Sequence, residues 1–215
     1  AASTTGMPEY KLYYFPARGL CEVSRQLFHI SGTPFEDIRI PRLEEWPAHK
    51  SKTPFGQMPV LYVDGRPLPQ SFAIARYLAR EFGYAGKDNF EAAWVDALAD
   101  QYKDYFAEIR PYLLVLYGIA PECDKNAMCA EVAVPARDKF FALIEQRLSE
   151  STSSGYLVGD ALTWIDLVIS DHVGIMLQYL PAFFDGYPKT LEHMAKITSC
   201  PKLKRWLDVR PTTIF

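Results

Sequence analysis

The rhythm of apolar and polar positions changes once along this chain, near residue 83. Before that point, short apolar runs alternate with helical stretches. Beyond it, apolar residues recur every three or four positions almost to the end. Tyr10 to Phe15 is a short, aromatic-rich run of strand character, broken at Pro16-Ala17-Arg18-Gly19. Leu20, Val23, Leu27 and Ile30 follow helical spacing with Gly32 in the stop position, which predicts a helix over 20–30. Phe35 to Ile40 reads as a second strand, so the order is that of a parallel βαβ unit. Residues 41–53 read as irregular and polar apart from Trp46. Met58 to Gly65 is an apolar run that opens on Pro59, a candidate cis proline at a strand's first residue, and ends in the hairpin signal Asp64-Gly65. Pro69-Gln70-Ser71 then leads into a helix to about Phe82, with Ser71 as candidate N-cap beside backbone N–H groups that favour an anion.

The later pattern is helical throughout. Val95, Leu98, Tyr102, Tyr105, Phe106, Ile109 and Leu113 share one side of a helix over 90–118, bent at Pro111. A second helix is predicted over 127–149, through Phe140, Phe141, Ile144 and Leu148, with Pro135 as a place for a break. Ser151 to Gly159 reads as a loop. Thr163 and Asp166 form a capping-box pattern, with Leu162 set to staple onto Leu167, at the head of a helix to about Tyr179. Two shorter helices follow near 189–197 and 201–208, and the tail runs from Arg210 to Phe215. The expected organisation is a flexible extension over residues 1–6, an α/β domain over 7–83, a linker over 84–89 and an all-α domain over 90–215.

Composition narrows the function classes. The chain has 215 residues, enough for a sizeable core, with 49% hydrophobic, 23% charged and 14% aromatic residues. A net charge of −3 and the lack of any basic run longer than two residues argue against nucleic acid or an anionic membrane as partner. No apolar run approaches a membrane span. Residues 1–6 lack the charged start and apolar centre of a signal peptide, so Met7 reads as the native start. Cys21, Cys123, Cys129 and Cys200 are scattered, without Cys-x-x-Cys or zinc spacing, which suits free thiols in a reducing cytoplasm and no metal site.

Between Pro54 and Ser71 lie a loop, a strand, a hairpin and a helix start that favours anions. Such a segment suits a small, extended, negatively charged molecule held against backbone. The βαβ-ββα order is that of a thioredoxin-like sandwich, and a linker followed by an all-helical domain resembles the layout of the cytosolic glutathione transferases. YKLYYFPARG resembles the first strand and catalytic loop of the family's Tyr-type classes. PFGQMPVLYVDG and LPQSFAIARYLA are similar to its glutathione-binding loop, cis-Pro strand and Gln-Ser helix start, and LTWIDL to its helical-domain capping box. Trp46-Pro47 with Lys50, and VDALADQYKD, look most like the sigma class, which includes glutathione-dependent prostaglandin D synthase and many worm enzymes.

The resemblance implies glutathione as co-substrate and a fixed set of contacts. Tyr14 would donate its O–H to the glutathione sulfur. Ser71 and Gln70 would hold the γ-glutamyl carboxylate, and Gly56, Gln57, Met58 and Pro59 would line the cysteinyl backbone. Trp46 and Lys50 would face the glycyl end. Asp104 would reach the glutathione bound by a partner subunit in a homodimer. Asp96, Asp100 and Asp104 form one carboxylate row, read either as a solvated face or as the lining of a dimer cleft. Lys103 stands where some sigma-class members use a carboxylate for magnesium. Phe55, in a polar loop, either packs at home or inserts into the partner. The electrophile pocket implied by the resemblance comprises Phe15, Leu20, Phe106, Tyr112, Val168, His172 and Phe215, with His172 read either as a satisfied histidine near the pocket or as a substrate contact.

The expected activity is attack of a Tyr14-stabilised thiolate on hydrophobic electrophiles, lipid peroxidation products among them. The first alternative is isomerisation of prostaglandin H2 to D2. Leu20 stands where a prostaglandin synthase carries arginine, and near Tyr112 that enzyme has tryptophan. A non-catalytic ligand carrier or structural protein on the same fold would be expected to have lost Tyr14, Trp46, Lys50, Gln70 or Ser71. A thiol-disulfide oxidoreductase would need a cysteine near residues 14–17, and the nearest, Cys21, is unpaired.

Overall fold

The structure is a computed structural model that describes residues 6–121, 123–150 and 154–214. Apart from Gly6, the expected extension over residues 1–6 lies outside the described residues. Two compact units are formed, one from the chain up to Phe82 with Pro211–Thr213, the other from Gly83–Arg210 with Ile214.

The first unit is built on a four-stranded sheet. β1 (Tyr10–Tyr14) pairs in parallel with β2 (Glu36–Arg39) and antiparallel with β3 (Val60–Val63), which pairs antiparallel with β4 (Arg66–Pro69). The spatial order is β2-β1-β3-β4. A parallel pair needs a crossover, which α1 (Glu22–Ser31) supplies after a 3-10 turn at Gly19–Cys21. Strand alternation turns Tyr10, Leu12 and Tyr14 of β1 inward. α3 (Ser71–Phe82) packs beside α1, and Leu12, Leu27, Phe28, Leu61, Ile74 and Leu78 are fully buried. The β3–β4 turn has Asp64 at φ 50 and Gly65 at φ 75, the left-handed pair that a two-residue primed turn requires. The Asp64 carboxylate also accepts the Glu9 N–H at 2.8 Å, tying the hairpin to the entry of β1.

Two expectations need correction here. Residues 41–53 contain a short helix, α2 (Trp46–Lys50), started by Pro47 in its first turn. Five residues are too few to show a period. Ser71 is the first residue of α3 and not its cap. The Ile74 N–H bonds the Gln70 carbonyl at 2.9 Å, so Gln70 holds the cap position, with φ 77.

The second unit is helical. α4 (Asn89–Leu116) is capped by Asp88, whose carboxylate accepts the N–H groups of Phe90 and Glu91 at 2.9 Å, and it continues through Pro111. α5 (Lys125–Met128) passes through a π-helical segment, Cys129–Ala133, into α6 (Val134–Glu150). Pro135 therefore does not break the path. Its ring would crowd the carbonyl four residues back, and the wider π turn just before it gives that carbonyl room. α7 (Trp164–Tyr179), α8 (Pro188–Thr198) and α9 (Pro201–Val209) complete the unit. Among the described residues no helix is long and apolar enough to cross a membrane.

α7 is apolar on nearly every side and buried accordingly. Its start is fixed by Asp166, which is fully buried. One carboxylate oxygen accepts the Thr163 N–H and hydroxyl, both at 2.8 Å. The other accepts the Leu157 N–H at 2.9 Å and meets His193 Nε2 of α8 at 2.9 Å. One side chain thus joins a loop, a helix cap and a second helix. Asp166→Ala orphans these buried donors and is expected to cost about 3–5 kcal/mol, read as a lowered urea midpoint with the slope unchanged.

Candidate active site

Tyr14 ends β1, 7% exposed, with its ring edge against the loop that follows. Its hydroxyl oxygen accepts the Leu20 N–H at 3.3 Å. That approach depends on Gly19, which sits at φ 42. A Cβ there would lie 2.6 Å from the tyrosine oxygen, so no larger residue fits unless the loop moves. Burial pushes the Tyr14 phenol up to about 12 and the nearby Cys21 adds to this, while the Leu20 N–H and the Arg25 guanidinium oppose it. At neutral pH the side chain is therefore a phenol. Its oxygen already takes a hydrogen bond, and its own hydrogen can be donated. Cys21 is wholly buried and its thiol is pushed up to about 12 by desolvation.

A small pocket of about 70 Å³ opens in the same unit, lined by Leu20, Gln57, Met58, Pro59, Pro69, Gln70 and Ser71. Leu20 belongs to both features. Its N–H holds the Tyr14 oxygen and its side chain, 42% exposed, forms a wall of the pocket. The Met58–Pro59 peptide is cis. The Gln70 amide reaches Gln57 Oε1 at 3.4 Å, closing one rim. The opening turn of α3 contributes N–H groups and the Ser71 hydroxyl there. Toward the β2 edge of the sheet, Phe15 bridges Tyr14 (centroids 5.3 Å apart) and Trp46 (5.6 Å, edge-on), and the Arg42 guanidinium lies 5.9 Å from the Phe15 ring. The Lys50 stem runs beside Gly56, within 3.6 Å of where a Cβ would stand. Tyr14, Trp46, Lys50, Gly56, Gln57, Met58, Pro59, Gln70 and Ser71 thus all belong to one unit, with aromatic, cationic and helix-terminus groups in sequence.

The residues expected in an electrophile pocket divide differently. Phe15 and Leu20 lie in the first unit, among the residues just described. In the second unit Phe106 is half-buried, whereas Tyr112 and Val168 are 1% and 3% exposed. The Tyr112 hydroxyl bonds the Cys129 thiol of the π segment, and Val168 lies on the largely buried α7. These two are core residues of the described chain, and the resemblance that suggested them as pocket lining carries no information on burial. Phe215 lies outside the described residues. Phe55 is 63% exposed, and Asp104 borders a groove between α4 and α6.

Sequence reasoning missed Arg25, Arg42 and the Leu20 N–H. Arg25 carried a signal, a lone cation between Cys21 and Phe28 on the inward face of α1. Arg42 and the Leu20 backbone left none.

Residues 8–80 match the model of the glutathione S-transferase N-terminal domain, and residues 109–210 that of the C-terminal domain. The chain is 49% identical to glutathione S-transferase 1 of Ascaris suum, over 97% of this chain and all of the relative. It superposes with TM-score 0.93 on a hookworm glutathione S-transferase from Necator americanus described as monomeric, at 48% identity, covering 96% of this chain and all of the other. A Nu-class enzyme of Haemonchus contortus gives 0.88 at 47% identity, covering 97% and all of the respective chains. More distantly, prostaglandin synthase D of Nilaparvata lugens gives 0.83 at 32% identity, covering 96% and all. The chain belongs to the glutathione S-transferase family, with a thioredoxin-like N-terminal domain and an all-helical C-terminal domain.

His172, the remaining pocket candidate, is also a core residue. It is 5% exposed, with Nε2 at 2.7 Å from the Tyr105 hydroxyl and Nδ1 at 3.2 Å from that of Tyr102. Burial lowers it to about 3. An unfolded histidine protonates near 6.5, so between these values the unfolded chain binds the extra proton and stability falls as pH falls. Urea unfolding is expected to lose several kcal/mol between about pH 6.5 and pH 3 through this group. His172→Gln should flatten that slope while lowering stability at neutral pH.

Proposed function

We propose that this chain catalyses conjugation of glutathione to hydrophobic electrophiles, with Tyr14 as the residue that stabilises the thiolate. The observation that carries the reading is the Tyr14 hydroxyl itself, buried, protonated, and with its oxygen taken by the Leu20 N–H beside the small pocket. A phenol pushed up to about 12 is a poor base at neutral pH. The thiol proton therefore leaves to solvent, and Tyr14 donates its hydrogen to the sulfur anion that remains. A hydrogen bond to a charged acceptor contributes about 1.5–3 kcal/mol, enough to lower a thiol pKa by roughly one to two units. The thiolate then forms a carbon–sulfur bond, and either a leaving group departs with the electron pair or an activated double bond takes up a proton.

The other contacts follow the chemistry of a tripeptide with two carboxylates. The γ-glutamyl carboxylate meets the first turn of α3 and the Ser71 hydroxyl, with Gln70 alongside. The cysteinyl backbone runs along Met58, flanked by Gly56, Gln57 and Pro59. Trp46 and Lys50 take the glycyl end. Sigma-class membership, a cytoplasmic location and detoxification are the context we assign. The second reading, prostaglandin H2 isomerisation, is favoured by the likeness to the Nilaparvata lugens enzyme and uses the same thiolate. Product analysis with prostaglandin H2 separates the two.

A homodimer completes the proposal. Phe55 stands exposed on the first unit, and a groove of about 210 Å³ on the second is lined by Tyr105, Phe140 and Leu143, with Asp104 and the Lys139–Glu108 ion pair at its edges. Phe90 and Trp94 extend exposed apolar surface along α4. We assign Phe55 to that groove of a second copy, and Asp104 to the second copy's glutathione ammonium.

Tyr14→Phe should lose about 10–100-fold in aryl-halide conjugation at neutral pH yet remain retained on immobilised glutathione. Equal rates would remove Tyr14 from the mechanism. Phe55→Ser should shift the sedimentation mass toward one chain and raise the KM for glutathione, because Asp104 acts across the interface.

A further inference from the structure

We infer that Arg25 is a positioning residue for the Tyr14 hydroxyl, acting through the turn that follows β1. The inference rests on the function proposed above. Arg25 lies on α1 with its side chain fully buried. Nη1 donates to the Ala17 carbonyl at 2.6 Å, Nη2 to the Phe15 carbonyl at 3.4 Å, and Nε to both oxygens of Asp37 on β2 at 3.1 Å. Glu22 lies 3.9 Å from Nη1, and Arg39 pairs at 2.8 Å with Asp37 Oδ2, an oxygen that Arg25 Nε also meets. Two cations therefore meet two carboxylates.

The carbonyls that Arg25 grips are the two ends of a tight turn. The Ala17 N–H returns to the Phe15 oxygen at 2.8 Å across Pro16, whose ring fixes φ at the centre. The turn leads directly into Gly19 and Leu20, which close on the Tyr14 oxygen. Arg25 also faces the Tyr14 ring itself, its guanidinium carbon 5.8 Å from the centroid. It therefore fixes both the phenol and the segment that carries the phenol's hydrogen-bond donor. It contacts neither the small pocket nor the residues assigned to the carboxylates of glutathione. A planar fork that spans two carbonyls and a carboxylate has no equivalent in lysine.

Arg25→Lys keeps the charge and removes the fork. The titration of bound glutathione, followed by thiolate ultraviolet absorbance, is expected to move up by about one pH unit, and kcat/KM at neutral pH to fall about tenfold. The loss should be recovered at alkaline pH, with the KM for glutathione little changed. A purely architectural role would lower thermal stability and leave the thiol titration of the folded variant where it was, and that result overturns the inference. Should Arg25→Lys fail to fold, Asp37→Asn decides. It keeps an acceptor for Nε and loosens the grip, so a smaller upward shift supports the inference and an unchanged titration overturns it. No thiolate signal from the unsubstituted protein overturns the proposed function along with this inference. A normal signal there with an unchanged one in the variants overturns this inference alone.

Discussion

The carboxylate of Asp166 is fully buried, and four hydrogen-bonding contacts stand in place of bulk water. A bare carboxylate in such a setting would cost several kcal/mol, so the donors must arrive together or the charge cannot be buried. That requirement couples the entry of α7 to the 157 loop and to α8, and α7 in turn is the apolar column of the helical unit. Arg25 imposes the same requirement on the first unit, where a buried cation is satisfied only once a turn, a helix and β2 are all in place. In both units a buried charge turns separate segments into one cooperative object, more strictly than apolar contact, which tolerates approximate geometry.

Seen from that constraint, the candidate site is a consequence of where β1 ends. Tyr14 is the last residue of the strand, its backbone carbonyl takes the Ile40 N–H at 2.8 Å, and its side chain is enclosed by the returning loop. Enclosure alone would make the phenol a weak acid with an idle oxygen. With the oxygen accepting the Leu20 N–H, the hydroxyl still has its own hydrogen to donate. The donor role proposed for Tyr14 uses that remaining hydrogen.

Much of this was legible in the residues. Asp64-Gly65 specified its turn because few other pairs accept two left-handed conformations, and Thr163 with Asp166 specified a helix start because a capping box is local. What was lost depended on distance. α2 is too short to express a period, and the cap at Gln70 depends on a left-handed backbone that glutamine rarely adopts. The π segment before Pro135 is a geometric answer to a clash that the sequence posed without saying how it would be resolved. Val168, Tyr112 and His172 read as pocket residues only by resemblance. Their burial comes from elements packed around them, as with the Tyr102 and Tyr105 hydroxyls on both nitrogens of His172.

Cys21 gives the arrangement a further meaning. A protein that generates a reactive sulfur anion beside bound alkylating agents carries the hazard of alkylating itself. Cys21 stands one residue past Leu20 and near Tyr14, yet burial keeps it a neutral thiol at about 12. Two sulfurs of the same chemistry would then differ in reactivity through solvation alone, the substrate's activated and the protein's passivated. On the proposed function, chemoselectivity of this kind would come from the burial of Cys21 and ask nothing of the electrophile.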